Sequence, residues 1–541
     1  MVPSKHGSVS TSRRPLRTVI ALGALAGLIG GLAMMTLMLA LRSVAGIPTT
    51  AELVGDRVAP LIPVDTFLAL LGFIGGYNQF KQLGIGAVLM GQLGVAVAGG
   101  VALALLARRE IDRTGVEQLW SIGRRLIGVI AALTGGAWLI LVVALFPNLG
   151  THYFGLPPGV ATIVTSTSLA ILLATYAAST TLAYHHLSTP AHTPQDVTDV
   201  SVVVADPGRR KLLVGAGGIV MAASTGGMLM RLYDHATFSY DGLQYIGPDL
   251  EPITPNERFY VVTKNVVDPR VNRGLWALEV NGHVDRPQTY QFDRLEAMSP
   301  TEQETTLMCI SNPIAWGLIS NAVWTGVPMR TLLEEAGARD GAVEVLLHGA
   351  DGYTDTFSFE KAMEPTTLVA YRMNGEPLPQ RHGFPARIIV PGLYGEKNVK
   401  WVTRIEVVDR EAKGFYETQG WGPDFTVPTR SRIDGPRLRD PIRAGVDIVL
   451  NGMAFAGNRG VSAVEVSTDG QRTWEPATIT YEGTHLTWSF WEYPWRPDRA
   501  GEYEIAVRST DGEGGVQTSE RRGTAPQGAT GLHVVTATVA A

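Results

Sequence analysis

The chain changes its hydrophobic rhythm near residue 231. Before that point apolar positions run on in long stretches; after it they recur at short intervals between Pro, Gly and charged residues. A helix crossing a bilayer core of about 30 Å needs roughly 20 apolar residues. Residues 18–41, 84–107 and 126–146 meet that length, residues 160–184 form a fourth run richer in Ser and Thr, and residues 212–230 a shorter fifth rich in Gly and Ala. In residues 61–80, Pro63, Asp65, Asn78 and Gln79 leave only a short apolar core, which predicts an interfacial or re-entrant helix. Farther on, residues 331–336 after Pro328 predict a short amphipathic helix, and the β-branched runs 387–390 and 402–408 predict strands. From about Thr429, alternation at Val464 and Val466 and at Tyr503, Ile505 and Val507, with turns at Asp469-Gly470 and Asp511-Gly512, predicts a β-sandwich.

Charge orients the first half, since Lys and Arg collect in cytoplasmic loops. Lys5, Arg13, Arg14 and Arg17 precede the first run; Arg108, Arg109, Arg113, Arg124 and Arg125 lie between the second and third; Arg209, Arg210 and Lys211 precede the fifth. Residues 147–159 carry no Lys or Arg. Five spans with the N-terminus inside keep every basic cluster in the cytoplasm and put the C-terminal half outside. A sixth span at 61–80 breaks that agreement. The run from Asp206 to Val214 also resembles a twin-arginine export signal; the competing reading is that Arg209 and Arg210 only obey the charge rule. Gly215, Gly217 and Gly218 lack the third glycine and preceding strand of a dinucleotide loop, and fit close helix packing instead.

These patterns predict a multi-domain protein: a four-span membrane domain (1–186), a cytoplasmic linker (187–210), a fifth span (211–231), an α+β domain (240–428) and an all-β sandwich (429–541). It is expected in the cell membrane as a multi-pass protein in contact with lipid, its globular half extracytoplasmic. No nucleic-acid partner is expected.

Cys309 is the only cysteine in 541 residues. A lone thiol is commonly an inert small hydrophobe. Its surroundings argue for more: Thr306 to Asn312 is a polar run, Trp324-Thr325-Gly326-Val327-Pro328 follows, and basic, Gly-rich segments downstream suit an anionic cofactor. Thiolate is a soft donor for a transition metal, so Cys309 is a candidate metal ligand, with a nucleophilic role as the alternative. His382 to Arg387 and Gly395 to Lys400 offer the arginine and the lysine-bearing glycine loop that hold phosphate.

Seven segments then carry a resemblance in one order: TPNERFY (254–260), TLMCISN with SNAVWTGVP, DGYT (351–354), MNGEPLPQRHGFPARIIVPGLYGEKNVKW (373–401), SRID (431–434), VEVSTDG (464–470) and GATGLH (528–533). Together they resemble the sulfite oxidase family of molybdenum enzymes, especially its bacterial membrane-attached members. The resemblance implies a molybdenum–molybdopterin cofactor with Cys309 on the metal and one dithiolene supplying the other sulfurs. By the same resemblance His382 and Arg387 contact the cofactor, Asn398, Val399 and Lys400 cradle it through their backbone, and Asn256, Phe259, Tyr260 and Asp351 add contacts. Tyr353 lines up with the family's active-site tyrosine, while Lys264 and Trp316 are neighbours of the pocket. The sandwich corresponds to an immunoglobulin-like dimerisation domain, so a homodimer is expected.

Two departures bear on the substrate. Where sulfite oxidases place arginines for the sulfite dianion, this chain has Val262 and Ile314, and loss of two charge-assisted contacts weakens a small dianion severely. The chain also lacks the His-Pro-Gly-Gly signature of a cytochrome b5-like haem domain; a separate cytochrome or quinone-linked subunit is expected to carry electrons. The expected activity is oxygen-atom transfer on a small molecule, with sulfite disfavoured. The alternatives are a sulfoxide or N-oxide reductase with a membrane haem or quinone partner, and a non-catalytic binding module.

Overall fold

The computed structural model describes residues 15–74, 77–114, 123–151, 154–188, 207–236, 247, 250–265, 267–436, 438 and 441–541. The first half is helical: α1 (Leu16–Ala45), α2 (Thr50–Val58), α3 (Val64–Ile74), α4 (Tyr77–Thr114), α5 (Gly123–Leu145), α6 (Pro158–Ser188) and α7 (Pro207–Ala236). Among the described residues four stretches are long and apolar enough to cross a membrane: Leu16–Ala45, Gln79–Asp112, Arg125–Leu145 and Pro158–Ser188. Small residues let two of them meet backbone to backbone, for a Cβ on Gly27 would stand 2.4 Å from the Ala96 carbonyl oxygen. The fifth expected run lies within α7, a 30-residue helix. Lys5, Arg13, Arg14 and most of the expected linker fall outside the described residues. Within the stretch 61–80 the described residues include the helix α3.

The described residues form two compact units. Gly55–Phe80 and Gly150–Ala161 fall in the same unit as Ala236–Ala541. Specific contacts hold them. Lys264 Nζ donates to Asp56 Oδ1 at 2.9 Å, and the Asn272 amide donates to the Phe154 carbonyl at 3.1 Å. The turn at Gly352, φ +71°, leaves no room for a Cβ because Thr151 Cγ2 would stand 2.3 Å from it.

The remainder of this unit is built on four sheets. One runs Gln288–Gln291, Ala277–Gly282, Val402–Val408, Glu344–Gly349, Thr354–Ser358; the pairing of Ala277–Gly282 with Val402–Val408 is parallel and the others antiparallel. A second pairs Thr301–Met308 with Ile319–Pro328, then Leu368–Met373, with Glu376–Pro377 and Arg387–Ile389 beside the latter. The helix expected at 331–336 spans Met329–Ala336, starting directly after Pro328 and ending at left-handed Gly337.

The last two sheets share one apolar core. Ile433, Leu450 and Trp491 from one meet Val464, Val466, Ile505, Val507 and Val539 from the other. The period-two alternation therefore does what it predicted, placing every second residue between two sheets.

Candidate functional site

Cys309 follows the strand Thr301–Met308 directly, at the start of a tight turn. Its amide donates to the Leu318 carbonyl at 3.0 Å, its carbonyl accepts from the Asn312 amide at 3.0 Å, and Asn312 Oδ1 accepts from the Leu318 amide at 3.0 Å. The sandwich braces the same turn from outside. Arg430 donates to the Pro313 carbonyl at 2.9 Å, and Arg432 to the Trp316 carbonyl at 2.7 Å. Sγ lies 3.0 Å from Ser311 Oγ. Burial, and then repulsion from Glu396, push the thiol up to about 12 against the help of Ser311. An incoming metal ion must therefore displace the thiol proton.

Cys309 lines a cavity of about 380 Å³, within the range of small-molecule sites. Phe259, Tyr260, Asp351, Tyr353, His382 and Arg387 line it too, as do Asn398, Val399 and Lys400. Of the residues expected as metal ligand, catalytic tyrosine or cofactor contacts, Asn256 alone is not on the wall. Its side chain turns to Glu376 and Asn374, and its carbonyl oxygen sits 3.0 Å from His382 Nε2. It positions the histidine rather than facing the cavity. Lys264 lines the cavity; Trp316 is not on its wall and is 53% exposed. Val262 lines it and Ile314 does not.

His382 faces an acceptor, so Nε2 carries the proton and Nδ1 is left as an acceptor. Burial and the Arg387 charge lower its pKa to about 3, so the ring is neutral at physiological pH. Arg387 donates to the carbonyls of His382 at 3.1 Å and Asn398 at 3.2 Å and lies 5.0 Å from the centre of the Trp324 ring. Its Nε is buried without a hydrogen-bond partner. Lys400 Nζ donates to the carbonyls of Arg381 and Val262 at 3.1 and 3.3 Å, and burial lowers it to about 8. The Asn398 side chain is spent within the loop, on the Val390 amide and the Tyr394 carbonyl. Gly395 has a local reason to be glycine, since a Cβ there would stand 2.3 Å from Tyr260 Oη.

Tyr353 is fixed from three sides. Its amide donates to Asp351 Oδ1 at 3.1 Å, its hydroxyl donates to Asp355 Oδ2 at 2.5 Å, and its ring packs on Phe415 and Tyr416. Asp355 in turn pairs with Lys397 at 2.7 Å, the two side chains only 2% and 3% exposed. Asp351 accepts from Asn265 at 2.8 Å, so its carboxylate shapes the turn as well as lining the cavity.

Sequence reasoning passed over several residues here. Asp355, Lys397, Arg430 and Arg432 anchor the site. Phe67 of α3 and Tyr416, Trp421 and Glu396 line it. Neither Glu396 carboxylate oxygen has a hydrogen-bond partner, though both are buried. Burial raises this group to about 8, with Asp355 adding to the rise; the Glu396 and Ile310 amides lie near enough to lower it without reaching hydrogen-bonding geometry.

The residues fit a molybdopterin. Several cations share one cavity, a buried Arg387 Nε–H is free to donate, and the single thiol is a soft donor. Among the described residues no group of three or more His, Cys, Asp or Glu is arranged to hold a metal, so a metal at Cys309 must bring its other donors with it.

Comparison with known proteins agrees. Residues 265–416 match the oxidoreductase molybdopterin binding domain, and residues 425–523 the Mo-co oxidoreductase dimerisation domain. The chain is 31% identical over 316 residues to the mitochondrial sulfite oxidase of Drosophila melanogaster, covering 49% of this chain and 55% of that protein. It is 30% identical over 314 residues to the sulfite oxidase of Gallus gallus, covering 49% and 68%. To the NADH nitrate reductase of Solanum lycopersicum it is 31% identical over 322 residues, covering 48% and 35%. It thus spans about half the length of the fly protein and about a third of the tomato protein.

Proposed function

The chain belongs to the sulfite oxidase family of molybdenum-cofactor oxidoreductases, and on that premise we propose that it is a membrane-anchored enzyme transferring an oxygen atom to or from a small organic substrate outside the cytoplasm. The observation that carries this reading is the convergence of Cys309, Tyr353, His382, Arg387 and Lys400 on one cavity. When bound, the cofactor supplies the two-electron chemistry and the site at which oxygen is exchanged. The chain's residues do the rest. Cys309, with its thiol proton displaced, is the protein ligand to the metal. Arg387 Nε and the Lys400 ammonium hold the anionic pterin, and neutral His382 offers Nδ1 as an acceptor. Tyr353, oriented by Asp355, presents its phenol to the cavity, and Phe67 and Trp421 keep bulk water out.

A parity argument supports the topology. The connectors Gly55–Phe80 and Gly150–Ala161 fall in one unit with Ala236–Ala541, which favours all three being on the same face. Two candidate spans separate the connectors from each other. After the second connector come α6 and α7, and only if α7 also crosses does the chain return to that face. This supports five spans with the N-terminus inside, and an extracytoplasmic catalytic domain that a twin-arginine signal at Arg209-Arg210 would export folded.

The C-terminal sandwich, read as immunoglobulin-like, would pair two copies of the chain. A separate membrane cytochrome or quinone-linked subunit would carry the electrons. Val262 on the cavity wall, where the family's sulfite-binding arginine is expected, disfavours sulfite and favours a sulfoxide or N-oxide. The test is molybdenum and pterin analysis of the purified protein, followed by turnover with sulfite, sulfoxides and N-oxides using artificial electron carriers. Molybdenum with turnover of an organic oxide supports the reading. Protein lacking molybdenum leaves a binding module.

A further inference from the structure

Glu396 is the feature of the cavity that the oxygen-transfer reading does not use. A buried polar group without a partner needs an explanation, and here both oxygens of a carboxyl group stand unsatisfied on the wall of the cavity that Cys309 lines. The nearby cations do not answer it. Lys264 is held by Asp56 and the Asp351 carbonyl, Lys400 by two carbonyls, and Lys397 by Asp355. Beside Glu396 on the same wall stand aromatic rings. Tyr353 and Tyr416 have centroids 5.8 Å apart, Tyr416 and Trp421 6.1 Å apart, and Phe67 of α3 joins the lining. Glu396 lies close enough to both tyrosines to raise their pKa values.

A carboxyl group among aromatic faces is the chemistry that recognises an alkylammonium group. The ring quadrupoles attract the cation while its alkyl surface replaces water, and the Glu396 carboxyl group, which burial holds largely protonated near neutral pH, ionises as the cation settles against it and supplies the counter-charge. We infer that the cavity binds substrates carrying an alkylammonium group, and that Glu396, with Tyr416 and Trp421, is the element that selects them. This rests on the reading of the cavity as the substrate pocket. It narrows that reading from small organic molecules to nitrogen-bearing organic cations.

The test is calorimetric and needs no turnover. Detergent-solubilised holoenzyme is titrated with choline, with its neutral carbon isostere 3,3-dimethylbutan-1-ol, and with sulfate. The wild type should bind choline at least roughly tenfold more tightly than the isostere and sulfate more weakly than either. Glu396→Gln should lose most of the difference between choline and the isostere, with molybdenum content unchanged. Equal affinity for choline and the isostere in the wild type overturns the inference without any variant. So does tighter binding of sulfate than of choline, or full choline affinity in Glu396→Gln. Failure of the oxygen-transfer reading shows itself separately, as loaded protein that turns over no organic oxide whatever it binds.

Discussion

The placement of Tyr353 depends on a buried ion pair, and breaking that pair is a quantitative test of the site's construction. Lys397 Nζ is 2.7 Å from Asp355 Oδ1, with both side chains at most 3% exposed. Removing one partner of such a pair costs about 3–5 kcal/mol, mostly the penalty of the charge left behind. Asp355→Asn keeps a group that can accept from Tyr353 but leaves the ammonium without its counter-ion. Two features soften the loss: Glu417 Oε2 is 3.4 Å from Lys397 Nζ, and the Phe425 ring centre is 3.7 Å away. The expected cost is therefore near the lower end, about 3 kcal/mol. Lys397→Met strands the carboxylate instead, and its hydrogen bonds from Tyr353 and the Thr356 amide remain; a cost of about 3 kcal/mol is expected here too. The double variant leaves no buried charge and should cost less than either single one. Urea unfolding of the full-length protein in detergent, followed by tryptophan fluorescence, measures all three. Additive losses, within about 0.5 kcal/mol, would refute the reasoning, as would a negligible cost for Asp355→Asn.

Arg387→Ala should lower pterin per protein, since a buried anion would lose a charge-assisted donor contributing about 1.5–3 kcal/mol; full occupancy would make Arg387 a purely structural residue. His382 is held neutral in the fold, with a pKa near 3 against the usual 6.5. Unfolding below pH 6.5 therefore takes up a proton, so its contribution to stability is complete above that pH and shrinks as pH falls toward 3. Between pH 6.5 and 5 this predicts up to about 2 kcal/mol of loss, and His382→Gln should flatten that limb of the stability curve. Replacing Arg209 and Arg210 by Lys keeps the charge that orients α7 but removes the guanidinium pair, so the catalytic domain should become protected from protease in intact spheroplasts. Unchanged digestion would leave the arginines as topology determinants only.

What the sequence made legible was local. Cys309, His382, Arg387 and Lys400 sit in contiguous motifs whose residue types announce a thiol ligand and an anion site, and the structure gathers them at one cavity. The alternation at Val464 and Val466 located the sandwich for the same reason, because burial in a sheet repeats every two residues. What stayed hidden was long-range. Arg430 and Arg432 brace the Cys309 turn from 116 to 118 positions away in the chain, and nothing in SRID announces that. Asp56 and Phe67 fall between the first two long apolar runs of the chain, and the interfacial or re-entrant helix expected at 61–80 says nothing of a cavity wall. Glu396 reads as a solvated charge in a lysine-bearing loop until its surroundings are known. Asn256 shows the converse: its motif is in place, but its side chain points away from the cavity and only its backbone carbonyl acts, on His382.

The central claim is that Cys309 ties a molybdenum cofactor to this cavity, and X-ray absorption at the molybdenum K-edge addresses it most directly. Wild-type protein should show the dithiolene sulfurs plus one more. In Cys309→Ser, which should stay folded and keep its pterin, the spectrum should lose one sulfur scatterer and gain a lighter neighbour, because serine oxygen is the harder donor. An identical sulfur shell in the two proteins would contradict the account, leaving Cys309 as a buried thiol beside a metal it does not bind.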